Sequence, residues 1–130
     1  SARRQVMNWF THIFRATKYS LEGLWAAIRT EIALQQEVVV LLALLALVPL
    51  CGLDFLTGAF VLFAWVMVMV VELVNSAIEA TLNRFGNEIH PLTKRGKDIA
   101  SAAVFCAVSF NVILWAFLAC RIFFRASGAV

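Results

Sequence analysis

Charge is scarce in this sequence. Eight acidic and eleven basic side chains make up 15% of 130 residues, and none lies between Val38 and Cys51. The hydrophobic share is 62% and the mean hydropathy +0.86, far above the range of a soluble domain. A separate soluble enzyme domain has no room here, and one small membrane domain is the natural class. The net charge of +3 is modest and no long basic stripe exists. That argues against nucleic-acid binding and fits contact with anionic lipid headgroups. Only three cysteines occur, Cys51, Cys106 and Cys120, an odd number without metal-type spacing. Each sits in or beside an apolar segment, so they read as small membrane-buried hydrophobes rather than disulfide partners or metal ligands. No pure apolar core with a small-residue cleavage site follows Arg3 and Arg4, so no signal peptide is expected.

What remains is arranged as helices. The pattern predicts an all-α membrane domain over 1–130: a surface-helix region at about 6–28, then helices at 33–50, 55–85 and 98–124 that contain three spans. Trp9, Phe10, Ile13 and Phe14 recur at helical spacing, with Arg15 and Lys18 on other faces. Aromatic and basic groups in that order suit a helix lying in the membrane interface. A turn is expected at Tyr19–Ser20. The uncharged run 38–50 covers only about 20 Å as a helix, against a hydrocarbon core of about 30 Å, so its helix must begin near Ala33. Pro49, Gly52 and Asp54 then make a tight turn. Gly86 is a plausible stop for the second span, and 87–95 reads as a polar connection containing Pro91. Asn111, in mid-span, is placed to bond a neighbouring helix. Nine basic residues (3, 4, 15, 18, 29, 84, 94, 95 and 97) fall on one side and two, Arg121 and Arg125, on the other. This puts the N-terminus and the 84–97 connection in the cytoplasm.

The chemistry concentrates in ELVNSAIEATLNRFGNEIHPLTKRGKD, residues 72–98. Glu72, Asn75 and Glu79 stand at i, i+3 and i+7 and share one helical face. Upstream, Glu31, Gln35, Gln36 and Glu37 form a polar cluster directly ahead of the first span. Carboxylates at a hydrocarbon boundary are costly and need a partner or a task. Such groups can hold Mg²⁺, which prefers oxygen ligands and in turn binds phosphate. A desolvated carboxylate can take a proton from a hydroxyl, and Lys97 and Arg95 can offset phosphate charge. These parts suit phosphoryl transfer; they are equally consistent with a channel vestibule. No glycine-rich phosphate loop is present, so a nucleotide site would be of another kind.

The blocks ELVNSAIEA (72–80), KDIASAAV (97–104) and YSLEGLWAAIRTEIALQQE (19–37) closely resemble the small prokaryotic integral-membrane diacylglycerol kinases, over roughly residues 9–120. The resemblance implies a homotrimeric bundle of three-span subunits, each with an N-terminal amphipathic surface helix, in the bacterial inner membrane. It implies transfer of the ATP γ-phosphate to diacylglycerol, giving phosphatidic acid, at cytoplasmic sites shared between subunits. By matching position, Glu72 would be the general base and Asn75 would orient groups near the transferred phosphate. Glu31 and Glu79 would be Mg²⁺ ligands. Tyr19, Glu88, His90, Lys97 and Asp98 would meet the nucleotide, and Gln36, Glu37 and Ser101 the lipid glycerol. His12 and Gln35 depart from the family pattern, where arginines are usual, and Gln35 is expected to alter a headgroup contact. The tail RIFFRASGAV is longer than the family pattern and is assigned no role. An undecaprenol kinase of the same fold would keep the same catalytic residues. A non-enzymatic channel or assembly subunit would need polar groups along the spans, whereas only Asn111 sits deep.

Overall fold

The computed structural model describes residues 2–86 and 89–128, with side chains from Met7 onward. Four α-helices follow one another: α1 (Ala2–Thr30), α2 (Ile32–Leu47), α3 (Phe55–Asn83) and α4 (Pro91–Ala126). No strand occurs among the described residues. The segments Ile32–Cys51, Phe55–Asn83 and Pro91–Ala126 are each long and apolar enough to cross a membrane. α3 lies between α2 and α4, and the connections make successive helices antiparallel. The start of α2, the end of α3 and the start of α4 therefore share one end of the bundle.

The turn expected at Tyr19–Ser20 does not form; α1 runs straight through it. Neither residue forbids helical geometry, and Lys18 and Glu22 pair across it, one turn apart at 3.8 Å. The chain breaks instead at Glu31, whose backbone is extended (φ −99°, ψ 112°). Gln35 stabilises that break. Its Nε2 donates to the carbonyls of Ile28 at 3.0 Å and Arg29 at 3.4 Å, two acceptors at the end of α1 that have no helical partner. Gln35 is thus a structural clasp between α1 and α2, not merely a headgroup contact.

At the other end, Pro49 lacks the N–H that would continue α2, and the chain tightens into a 3₁₀ turn, Val48–Cys51. Gly52 turns the corner at φ +64°. Asp54 then caps α3, accepting from Thr57 Oγ1 at 2.7 Å and Thr57 N at 3.1 Å; these bonds hold its carboxyl below the usual carboxylate range. α4 begins seven residues earlier than the apolar run suggests, at Pro91 rather than Asp98. Proline is pre-organised for the first helical position, and His90 Nδ1 accepts from Leu92 N at 3.2 Å. Residues 91–95 are accordingly helical rather than loop.

The apolar core sits toward the turn end. Leu44, Val48, Val61 and Leu118 pack together with Trp65, Leu114 and Trp115 around them. Trp65 Nε1 also donates to the Glu37 carbonyl at 2.9 Å, tying α3 to α2. Asn111, 3% exposed, donates from Nδ2 to Ala64 O at 3.1 Å and so bonds α4 to α3. Gly58 lets α3 approach the turn: a Cβ there would lie 3.0 Å from Val48 Cγ1.

Gly58→Val should therefore destabilise the bundle by about 1–3 kcal/mol through overpacking, and adding Val48→Ala should recover part of the loss. Unfolding in mixed micelles measures both, and no recovery in the double variant would refute the contact's role. Gln35→Ala should cost about 0.5–1.5 kcal/mol and speed amide exchange across residues 27–35 while leaving α3 protected.

Candidate active site

Glu72 and Asn75 lie on the inward face of α3, one turn apart, only 7% and 9% exposed. Their neighbours on that face, Val61 and Val68, are fully enclosed. The face that forms the apolar core thus continues toward the end of α3 and turns polar there. Glu79 follows one turn later and is half-buried. Asn75 Nδ2 points to Glu79 Oε1 at 3.5 Å, while Asn75 Oδ1 is buried without a hydrogen-bond partner.

The break after α1 brings in Glu31. The charges of Glu79 and Glu31 both act on the Glu72 carboxyl, and that of Glu72 on Glu37. Glu37 is 8% exposed and its Oε2 also lacks a partner. Four carboxyl groups thus gather at one end of the bundle, and no basic side chain forms an ion pair with any of them among the described residues. Of the four, Glu37 and Glu72 are buried, and burying a charged carboxyl without a cation is costly, so each is favoured either protonated or beside positive charge. No three His, Cys, Asp or Glu side chains among the described residues stand close enough to form a metal cage alone. The donors are all oxygen atoms, and they can supply part of a coordination shell.

A cleft of about 340 Å³ opens at the same end of the bundle, between the end of α3 and the start of α4. Asn83, Gly86, His90, Thr93, Lys94 and Lys97 line it. Lys97 Nζ donates to Asn83 Oδ1 at 2.6 Å, which holds the ammonium at the cleft. Lys94 pairs with Asp98 one turn on. His90 and Lys97 therefore share the cleft, and Asp98 is linked to it through Lys94. Tyr19 is exposed on α1 and does not line the cleft. Glu88 lies outside the described residues. Gln36 and Ser101 are exposed, and no hydrogen bond joins either to Glu37.

Lys94, Asn83 and Thr93 were not among the expected site residues. A signal existed for Lys94. His90, Lys94 and Lys97 stand at i, i+4 and i+7, one helical stripe, once the helix is known to start at Pro91.

A model of the family described as prokaryotic diacylglycerol kinase matches residues 18–119. The diacylglycerol kinase of Escherichia coli K12 is 45% identical over 111 residues, covering 84% of this chain and 89% of that protein. That of Pseudomonas aeruginosa is 40% identical over 104 residues, covering 80% and 85%. That of Helicobacter pylori strain 26695 is 37% identical over 106 residues, covering 82% and 83%. The matched region runs from the middle of α1 almost to the end of α4 and includes the acidic cluster and the lysine-lined cleft, so the chain belongs to the prokaryotic diacylglycerol kinase family.

Proposed function

We propose that this chain transfers the γ-phosphoryl group of ATP to the free hydroxyl of diacylglycerol, forming phosphatidic acid and ADP. The observation that carries the reading is Glu72: a nearly buried carboxyl, set among like charges, at one end of helices apolar enough to cross a membrane. A lipid hydroxyl reaches that depth from the hydrocarbon, and a nucleotide reaches it from water. Glu72 takes the hydroxyl proton. The hydroxyl oxygen forms a bond to the γ-phosphorus, and the bond from that phosphorus to the β,γ-bridging oxygen breaks, releasing ADP.

Asn75 positions the reacting groups through its amide, with Oδ1 free to accept from a substrate. Lys97 and Lys94 offset phosphate charge from the neighbouring cleft. His90, Asp98, Glu88 and Tyr19 serve the nucleotide, and Gln36, Glu37 and Ser101 the glycerol. An all-oxygen donor set fits Mg²⁺, which uses one or two carboxylates and completes its shell with water and phosphate oxygens. Glu31 and Glu79 would hold it. Bound there, Mg²⁺ would offset negative charge on the phosphate oxygens.

The assembly proposed is a homotrimer with sites shared between neighbours. Two observations support it: among the described residues of one chain no three candidate ligands form a metal cage, and α4 exposes apolar surface, including Phe105 and Phe117. α1 carries exposed Trp9, Phe10 and Phe14 and would lie along the interface of the inner membrane. The nine-to-two asymmetry of basic residues would set the active end in the cytoplasm.

Radiolabelled phosphate transfer tests the reading. Glu72→Gln should lower the rate of transfer to diacylglycerol by about 10²–10⁴-fold, with helical content unchanged by circular dichroism. Faster turnover of undecaprenol than of diacylglycerol would reassign the acceptor. Glu79→Gln should raise the Mg²⁺ concentration needed for half-maximal rate; an unchanged Mg²⁺ profile would remove it from the ligand set. Lys97→Ala should raise KM for MgATP more than KM for lipid, and an effect on lipid KM alone would contradict its place at phosphate.

A further inference from the structure

The end of the bundle opposite Glu72 carries its own cleft, of about 180 Å³, between the turn at 51–54 and the last turns of α4. Leu53, Leu118 and Ile122 give it an apolar wall, and Arg121 and Arg125 line it with positive charge. The two arginines stand four residues apart and project from one face of α4. Neither forms an ion pair with a carboxylate among the described residues. Asp54 also lines the cleft, but both its oxygens already accept from Thr57 in capping α3. Two guanidinium groups against one engaged carboxylate leave the cleft positively charged.

The bland explanation for terminal arginines is the helix dipole, which favours a cation in the last turn. It accounts for Arg125. It accounts less well for Arg121, a full turn earlier beside the buried Leu118. Both arginines also lie beyond residues 18–119, the part of the chain matched to the family. They also stand on the side that the distribution of basic residues otherwise leaves bare. Apolar walls and paired guanidinium groups at the end of a spanning helix fit a phosphate ester joined to acyl chains.

We propose that this cleft binds the headgroup of an anionic phospholipid. The phosphate lies between Arg121 and Arg125, where guanidinium groups can each donate two parallel hydrogen bonds. The first acyl carbons run along Leu53, Leu118 and Ile122. The site is separate from the acidic cluster, so it stands or falls independently of the phosphotransfer reading.

The test uses the full chain in nanodiscs of phosphatidylcholine with a rising fraction of phosphatidylglycerol. Thermal unfolding and native mass spectrometry report stabilisation and retained lipid. For the wild type, Tm should rise with phosphatidylglycerol and the lipid should be retained. Arg121→Gln with Arg125→Gln should weaken apparent lipid affinity by roughly 20–30-fold, taking each basic group near an anionic surface at about 5-fold. The double lysine variant should keep part of the affinity, because it keeps charge but loses the planar fork. Should the double glutamine variant fail to fold, Arg121→Gln alone is expected to show about a 5-fold loss. Phosphate transfer in phosphatidylcholine alone should be unchanged in all of them. Equal stabilisation and retention in wild-type and glutamine variants would overturn the proposal. So would inorganic phosphate reproducing the Tm shift without lipid, which would assign the cleft to a free anion.

Discussion

Four carboxyl groups gathered in an apolar bundle, with no ion-pair partner among the described residues, are the constraint to which the rest of the molecule answers. Glu31, Glu37, Glu72 and Glu79 come from three stretches of chain, and the first two sit on either side of a helix start. Like charges repel, and burial in a medium of low dielectric makes the repulsion worse. Such a cluster persists only if the surrounding scaffold holds it, and in the proposed function a bound cation would relieve it. The lysines nearby do not neutralise it: Lys97 is engaged by Asn83, and Lys94 by Asp98. The four carboxyl groups of the cluster and the two lysines do not pair; in the proposed function the first set serves a metal ion and the second phosphate. A metal-bound nucleotide carries both kinds of group and can satisfy both.

The scaffold achieves that rigidity with few polar bonds. Trp65 to the Glu37 carbonyl and Asn111 to the Ala64 carbonyl cross between helices, and each leaves the helical backbone ladder intact. In hydrocarbon there is little hydrophobic drive between helices, so close approach and such side-chain bonds carry the association. The Trp65 bond has a second effect. It anchors the backbone of the residue whose carboxyl joins the acidic cluster, so the position of Glu37 depends on a contact in the spanning part of α3.

Parts of this were legible in the sequence because they depend on local periodicity. A face carrying Glu72, Asn75 and Glu79 follows from 3.6 residues per turn once the segment is helical. The three apolar helices follow from runs that nothing interrupts, and the turn at Pro49, Gly52 and Asp54 from residues with fixed backbone preferences. Other parts were not legible because they depend on distant choices. Tyr19–Ser20 offered a turn that the helix simply ran through. The true break, at Glu31, is held by Gln35, whose role exists only once α1 and α2 meet. Pro91 can end one element or begin another, and the bond from Leu92 N to His90 decides it. Because the apolar run of α4 starts only near Asp98, the sequence alone presents Lys94 as a loop charge rather than one side of a cleft.

The close contact of Gly58 with Val48 has a mechanical consequence far from where it occurs. A helix is nearly incompressible along its axis, so the contact acts as an end stop for α3. Glu72 lies fourteen residues further on, a lever of about 21 Å at 1.5 Å per residue. Under the proposed function, the position of that carboxyl relative to the lipid hydroxyl therefore depends in part on the opposite end of the bundle, at Gly58.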